Sequence, residues 1–402
     1  MIELLAPAGD LEKLKVAIDY GADAVYFAGE IFGMRKAAKN FSVDQISEGV
    51  EYAHSRGKKV YMTLNIIPHN EDIDELQSYL ETIKDLDIDA FIMADPGAML
   101  MVKEMLGDVE IHLSTQANNT NALSAKFWQS QGVSRIVLAR ELSLEEIKDI
   151  TAKNPEMEFE VFIHGAMCIS YSGRCLISQY MTGRDANQGD CAQSCRWRYH
   201  LVEQSRPGEY YPIEESEKGV TFFNSKDLCG LPLLDQIIET GVTSLKIEGR
   251  NKSPFYVASV VRTYREALRR IEAGDFHYED LQEELLKVSH RDYTQGFFEG
   301  KTTEEDQIYE DTSYVRQYTF IGQVLGYNEE KKEVHVQQRN HFAVGDEIEI
   351  FGPDYSQVTF TVKSIRNTKG EYQQTAPHPL QELWIPCDQK VSAGDMIRKV
   401  KE

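Results

Sequence analysis

Four cysteines, Cys168, Cys175, Cys191 and Cys195, are separated by six, fifteen and three residues, and a fifth, Cys229, follows in NSKDLCG. In a reducing compartment, thiols clustered like this point to a metal or iron–sulfur site rather than to disulfides. A four-cysteine cluster needs four thiolates that converge on a wrapping loop, so five candidates compete for four positions. Cys168 and Cys175 follow the end of an apolar run. Cys191 and Cys229 are taken to complete the set, with Cys195 as an alternative ligand because a C-x3-C pair can also hold one cluster. Cys387, in WIPCD, is far along the chain and reads as structural. A zinc site built from four cysteines is the competing reading; zinc sites commonly use two close C-x2-4-C pairs, and only one is present.

Other residue types could act beside the thiols. His164 stands four residues before Cys168, a candidate Cys–His pair or a histidine hydrogen-bonded at a strand end. With Lys246 and Glu248 it makes up the candidate catalytic group. Arg35, Asn65, Gln116, Arg140, Arg174 and Arg250 are the candidates for substrate binding. With Arg184 and Lys246, the arginines among them would form a positive ring suited to a small anion, since a guanidinium grips a carboxylate in a two-pronged fork. The competing reading pairs several of them internally with Glu141, Asp185 and Glu248. The aromatics Tyr171, Tyr180, Trp197 and Tyr199 either stack on a base or pack locally. There is no G-x-S-x-G elbow, H-E-x-x-H helix, or Rossmann or Walker glycine loop, which weakens protease and nucleotide-dependent readings.

The elements that would position these residues can be read from alternating texture. Apolar runs begin at Glu3, Ala24, Lys59, Ala90, Glu110, Arg135, Glu158 and Ser244, with helical patterns such as Asp10 to Tyr20, Val43 to Ser55, Ile73 to Leu86 and Leu144 to Lys153 between them. Eight βα units in this length predict a TIM-type (β/α)8 barrel over residues 1–275, with a cysteine-rich insertion after strand 7, at 166–230. Polar residues at strand ends, such as Asn65, Gln116, Arg140 and Glu248, would then ring the barrel mouth. Residues 276–315 read as a linker region. From 316 to 402 the pattern alternates with period two between Gly-Asp turns, which predicts a small C-terminal antiparallel β-barrel domain.

Composition narrows the class. With 42% hydrophobic and 27% charged residues the chain has enough apolar material for a substantial core. The N-terminal MIELLAPAGD lacks the charged and apolar regions of a signal peptide, and no apolar run reaches membrane-span length, so a cytoplasmic protein with reduced thiols is expected. The net charge of −22, from 65 acidic and 43 basic residues, argues against nucleic acid as a partner unless a local basic patch or another subunit supplies the phosphate contacts.

The run EVFIHGAMCISYSGRCLIS, together with RDANQGDCAQSCRW, NSKDLC, SLKIEGRNKSPFYVASVVRTYREA, LLAPAGD and GADAVYFAG, resembles the collagenase-like peptidase family, U32, and within it the tRNA hydroxylation members. The resemblance covers residues 1 to about 300, and the small domain is similar to the family's C-terminal β domain. It implies a cytoplasmic enzyme that hydroxylates the wobble uridine of tRNA at C5 without oxygen, with prephenate as co-substrate and a 4Fe–4S cluster as cofactor. It also implies Cys168, Cys175, Cys191 and Cys229 as ligands, with Cys195 in a position that some members use instead. Related members act on ribosomal RNA or, as a pair, in ubiquinone synthesis; the acidic balance of the chain makes a homo- or hetero-oligomer with a shorter paralogue an expectation. The alternatives are a U32 peptidase and a zinc-stapled, non-catalytic adaptor.

Overall fold

The computed structural model describes residues 2–32, 40–199, 220–221, 225–302, 306 and 314–401. They form two compact units: Met1–Ile18 with Ala22–Lys252 and Arg291–Tyr314, and Asp19–Gly21 with Ser253–His290 and Val315–Glu402.

In the first unit, strands β1 (Glu3–Pro7), β2 (Ala24–Phe27), β3 (Lys59–Leu64), β4 (Ala90–Met93), β5 (Glu110–Leu113), β6 (Arg135–Val137) and β7 (Glu158–Ala166) pair in parallel, each with the next. After β8 (Asp227–Cys229), strand β9 (Ser244–Ile247) pairs in parallel with both β7 and β1 and closes an eight-stranded barrel. The expected (β/α)8 barrel is therefore present, and all eight apolar runs are its strands. Those runs lack simple alternation because a parallel barrel strand is covered on both faces; all four residues of β2, β4 and β9 are buried.

Helices α1 (Leu11–Asp19), α2 (Val43–His54), α3 (Ile73–Ile83), α4 (Pro96–Leu106), α5 (Ala122–Ser130) and α6 (Leu144–Lys153) lie between the strands. Local chemistry starts several of them. Ser42 with Gln45 and Ser143 with Glu146 form capping boxes, and Asp95 accepts from the Ala98 N–H in front of a first-turn proline, so backbone donors that the helix leaves orphaned find partners. Asp10 likewise accepts from the Lys13 N–H at 3.0 Å. The helix after β2 starts only at Val43.

Between β7 and β9 the chain carries the short helix α7 (Ile177–Thr182), β8 and a second short helix, α8 (Leu234–Glu239). β8 runs antiparallel along the end of β7, with Cys229 opposite His164, and β10 (Tyr293–Thr294) adds to its other side. The buried Arg291 guanidinium pairs with Asp227 at 3.3 Å and helps to hold this edge.

The second unit holds helices α9 (Pro254–Ala273) and α10 (Glu279–Leu286) and an eight-stranded antiparallel sheet between Tyr318 and Val400. Its core includes Ile321, Val336, Ile350, Ile365 and Ile385. Cys387 is buried here, as a structural cysteine would be.

Candidate functional site

Closing a barrel brings the C-terminal ends of all its strands to one rim. A cavity of about 160 Å³ opens there in the first unit. Its wall contains Asn65 from the end of β3, Gln116 from beyond β5, Arg140 from beyond β6, and Lys246, Glu248 and Arg250 from β9 and the turn after it. Two glycines allow this turn to sit so close. A Cβ on Gly9 would stand 1.9 Å from the Arg250 carbonyl oxygen, and one on Gly165, at φ +109°, would stand 2.5 Å from that of Glu248. Only glycine fits either position without displacing backbone.

Six of the nine candidate catalytic and substrate-binding residues line this cavity, and each is held in place. Arg250 donates to Thr63 Oγ1 at 3.2 Å. The Tyr26 hydroxyl donates to Glu248 at 3.3 Å. Lys246 Nζ lies 2.7 Å from Glu160 Oε1 and 4.5 Å from the Tyr26 ring centre. Arg140 donates to the Ala166 carbonyl at 3.1 Å and to Ser172 Oγ at 2.8 Å, while its buried Nε has no partner among the described residues. Gln116 accepts from Ser114 Oγ at 3.3 Å, and its buried Nε2 has no partner among the described residues either. Buried donors without acceptors are costly, and an anion in the cavity would satisfy them. The charged side chains of the wall are Arg140, Lys246 and Arg250 against Glu248, a positive interior within an acidic protein.

Beneath Lys246, inside the barrel, Glu160 is fully buried and also meets Arg135 and Ser244. Burial works against its charged form, but Lys246 and then Arg135 outweigh it and hold the carboxyl below its usual range. Sequence reasoning missed Glu160. Its signal was an acidic residue within the apolar strand EFEVFIHG, and such a charge needs a buried partner.

Four cysteines complete the wall: Cys168, Cys175, Cys191 and Cys195. Burial, opposed by Arg196 and reinforced by the neighbouring Cys168, Cys191 and Cys175, raises the Cys195 thiol to about 11. Among the described residues no group of three or more His, Cys, Asp or Glu side chains stands close enough to hold a metal ion as placed. The donor set nevertheless suits a thiolate-bound group, with four thiols on one wall.

Three expectations differ from this arrangement. Cys229 is buried in β8 and does not line the cavity, whereas Cys195 does; the strand pairing of Asp227–Cys229 with β7 sets it opposite His164. His164 is buried, its ring 5.3 Å from that of Tyr293, and it lines neither this cavity nor the larger one beside it. Arg174 is exposed on the loop outside. Arg35 lies outside the described residues.

The larger cavity, of about 780 Å³, shares Cys168 and Tyr171 with the first and reaches Lys226, Thr294 and Phe297. Glu141 lies on its wall; burial, only partly offset by Arg140, raises its carboxyl above the usual range.

Family models match both parts of the chain: peptidase family U32 over residues 9–308 and the peptidase family U32 C-terminal domain over 316–398. The chain belongs to peptidase family U32. This U32 chain is 43% identical over 402 residues to tRNA hydroxylation protein P1 of Bacillus subtilis, covering 99% of this chain and 95% of that protein. It is 37% identical over 428 aligned positions to tRNA hydroxylation protein P of Escherichia coli, covering 96% and 94%. It is also 31% identical over 410 to a collagenase of Porphyromonas gingivalis, covering 98% and 97%. The family thus carries names of two different chemistries.

Proposed function

We propose that this U32 protein hydroxylates wobble uridine of tRNA at C5 in the cytoplasm, without oxygen, using prephenate as co-substrate and a 4Fe–4S cluster. The observation that carries the reading is the composition of one cavity wall, where four thiols face a cationic barrel mouth. The near full-length similarity to two tRNA hydroxylation proteins supplies the substrate class.

Replacing the C5 hydrogen by a hydroxyl with oxygen at the level of water releases two electrons and two protons from the pyrimidine, so the reaction needs a two-electron acceptor from outside the chain. A bound cluster would supply redox capacity, held by Cys168, Cys175, Cys191 and Cys195. The chain's own residues have separate tasks. Arg140 Nε and Gln116 Nε2 offer donors to the carboxylates of a small dianion such as prephenate, and Arg250 and Lys246 add positive charge. Tyr26 and Thr63 orient Glu248 and Arg250. Glu248 is the carboxylate of this wall and the candidate for moving a proton.

Peptidase chemistry would need a base beside the exposed Cys168, and His164, the residue expected there, lines neither cavity. Nucleoside mass spectrometry of tRNA from a strain lacking the gene tests the proposal: 5-hydroxyuridine derivatives disappear and return with the wild-type gene but not with Cys175→Ala. Unchanged nucleosides, or gelatin cleavage by pure protein that Cys168→Ala abolishes, would overturn it. Anaerobically purified protein is expected to contain iron and sulfide; zinc without sulfide would favour the adaptor reading.

A further inference from the structure

An acidic chain that acts on RNA must contact phosphates somewhere, and its residues are not uniformly acidic. Between Ala166 and Tyr199 the charged residues are four arginines, Arg174, Arg184, Arg196 and Arg198, against two aspartates, Asp185 and Asp190, and there is no lysine or glutamate. This segment is net positive within a chain of net charge −22.

The same segment breaks the rule that large apolar side chains go inside. Of the thirteen large apolar side chains exposed among the described residues, five fall here: Tyr171, Leu176, Tyr180, Met181 and Trp197. Tyr180 is 89% exposed, so it packs against almost nothing. Exposed rings interleaved with guanidinium groups match the way proteins hold single-stranded nucleic acid, with bases stacking on aromatic faces and cations tracking the backbone. Arg174 is exposed and has no carboxylate partner among the described residues. Arg196 donates to the Met167 carbonyl at 2.8 Å rather than to a carboxylate, so both keep their full charge for a phosphate. Arg184 is exposed and pairs with Asp190 at 2.8 Å.

The patch is continuous with the candidate site. Tyr171 lines both cavities, as does Cys168. A strand of RNA laid across Tyr180 and Trp197 would therefore lead toward the thiol wall.

We infer that the face formed by Tyr171, Arg174, Tyr180, Arg184, Arg196 and Trp197 is the docking surface for a single-stranded RNA loop, with the exposed rings serving as base-stacking platforms. The inference rests on the RNA reading of the site. It is tested by fluorescence polarisation, using a fluorescein-labelled anticodon stem-loop with uridine at the wobble position and the full chain purified anaerobically. Tyr180→Ala with Trp197→Ala is expected to weaken binding by about tenfold per ring. The pair Leu123→Ala and Phe127→Ala, which removes exposed apolar side chains on α5, should leave binding unchanged. Arg174→Ala should flatten the slope of log affinity against log salt by about 0.7, the value for one phosphate contact in a single strand.

Full affinity in the Tyr180/Trp197 double variant, with its circular dichroism unchanged, would overturn the inference. So would loss of a co-purifying protein from that variant while RNA affinity stays intact, since the face would then be a protein interface. If the wild-type chain does not bind the stem-loop although tRNA from the deletion strain lacks the hydroxylated nucleoside, the surface is refuted and the activity stands. If the nucleoside is also unaffected, both fall.

Discussion

Each compact unit buries an ionic cluster, and the two clusters are built to different ends. In the barrel, Glu160 joins Lys246 and Arg135 directly under the cavity, and around the rim Arg140 Nε and Gln116 Nε2 are left without acceptors among the described residues. In the second unit, Arg398 forks onto Glu284 at 2.6 and 2.7 Å and also meets Glu349, while Arg262 reaches Glu284 at 2.9 Å. Phe351 packs against both guanidinium groups, at 4.3 Å from Arg262 and 4.5 Å from Arg398. The second cluster joins α9, α10 and the sheet into one body, and its donor without an acceptor among the described residues, Arg262 Nε, belongs to a guanidinium packed over the Phe351 and Tyr355 rings. The first leaves hydrogen-bonding capacity facing a space. Buried charge alone therefore does not mark a functional site, whereas buried charge next to uncommitted donors and a cavity does.

The comparison predicts opposite responses to mutation. The largest effect is expected at the thiols: Cys175→Ala or Cys191→Ala should abolish the hydroxylated nucleoside and the bound iron while the fold survives, and Cys195→Ala should do the same. Cys229→Ala should retain the iron, as measured by metal analysis after anaerobic purification. Iron lost from Cys229→Ala but kept in Cys195→Ala would reverse the assignment that the cavity wall supports.

Next in size is the second unit. Glu284→Ala leaves two buried arginines facing each other without their shared carboxylate, and a cost of about 3–5 kcal/mol is expected. Urea denaturation should show it. A loss within error would mean that this cluster does not hold its unit together.

A smaller effect is expected at Arg140. Arg140→Lys removes the uncommitted Nε donor but keeps the charge, and should weaken binding of a small dicarboxylate by about tenfold, read by calorimetry with prephenate. The melting temperature should barely move. A lowered melting temperature with unchanged binding would turn Arg140 into a structural residue.

The smallest effect is pH dependence. Glu160 and Glu284 both have carboxyls held below their usual range, by Lys246 and Arg135 in one case and by Arg398 and Arg262 in the other, in each case against the opposing effect of burial. A depressed folded-state value means that the unfolded chain takes up these protons first. The stabilisation is therefore fully present above the unfolded value of about 4.3 and is lost as pH falls through the lower folded value. Stability measured from pH 6 downward should be flat until about pH 5 and then decline. In Glu160→Gln the decline should be shallower, and an unchanged profile would deny the carboxylate that role.

The barrel was legible from the sequence because its strands are buried on both faces: runs such as Ala24–Phe27 and Ala90–Met93 contain little that could face water, and Ser and Asp residues mark the helix starts between them. The polar rim was legible for a related reason, since a polar residue directly after such a run stands at a strand end, and Asn65, Gln116, Arg140, Glu248 and Arg250 all reach the cavity. Spacing could not rank the cysteines or place His164. Those positions follow from Asp227–Cys229 pairing back onto β7, a contact between residues more than sixty positions apart.

What the sequence determined by itself was therefore the eight-strand count, the elements that carry the rim and the presence of a thiol-rich segment, because burial and capping are written in local residue patterns. Only the tertiary structure decided which thiols share a wall, that Glu160 answers Lys246 from inside the barrel, and that Arg140 and Gln116 keep donors uncommitted. Convergence in space depends on how distant segments pair, and the distance between two residues along the chain does not encode it.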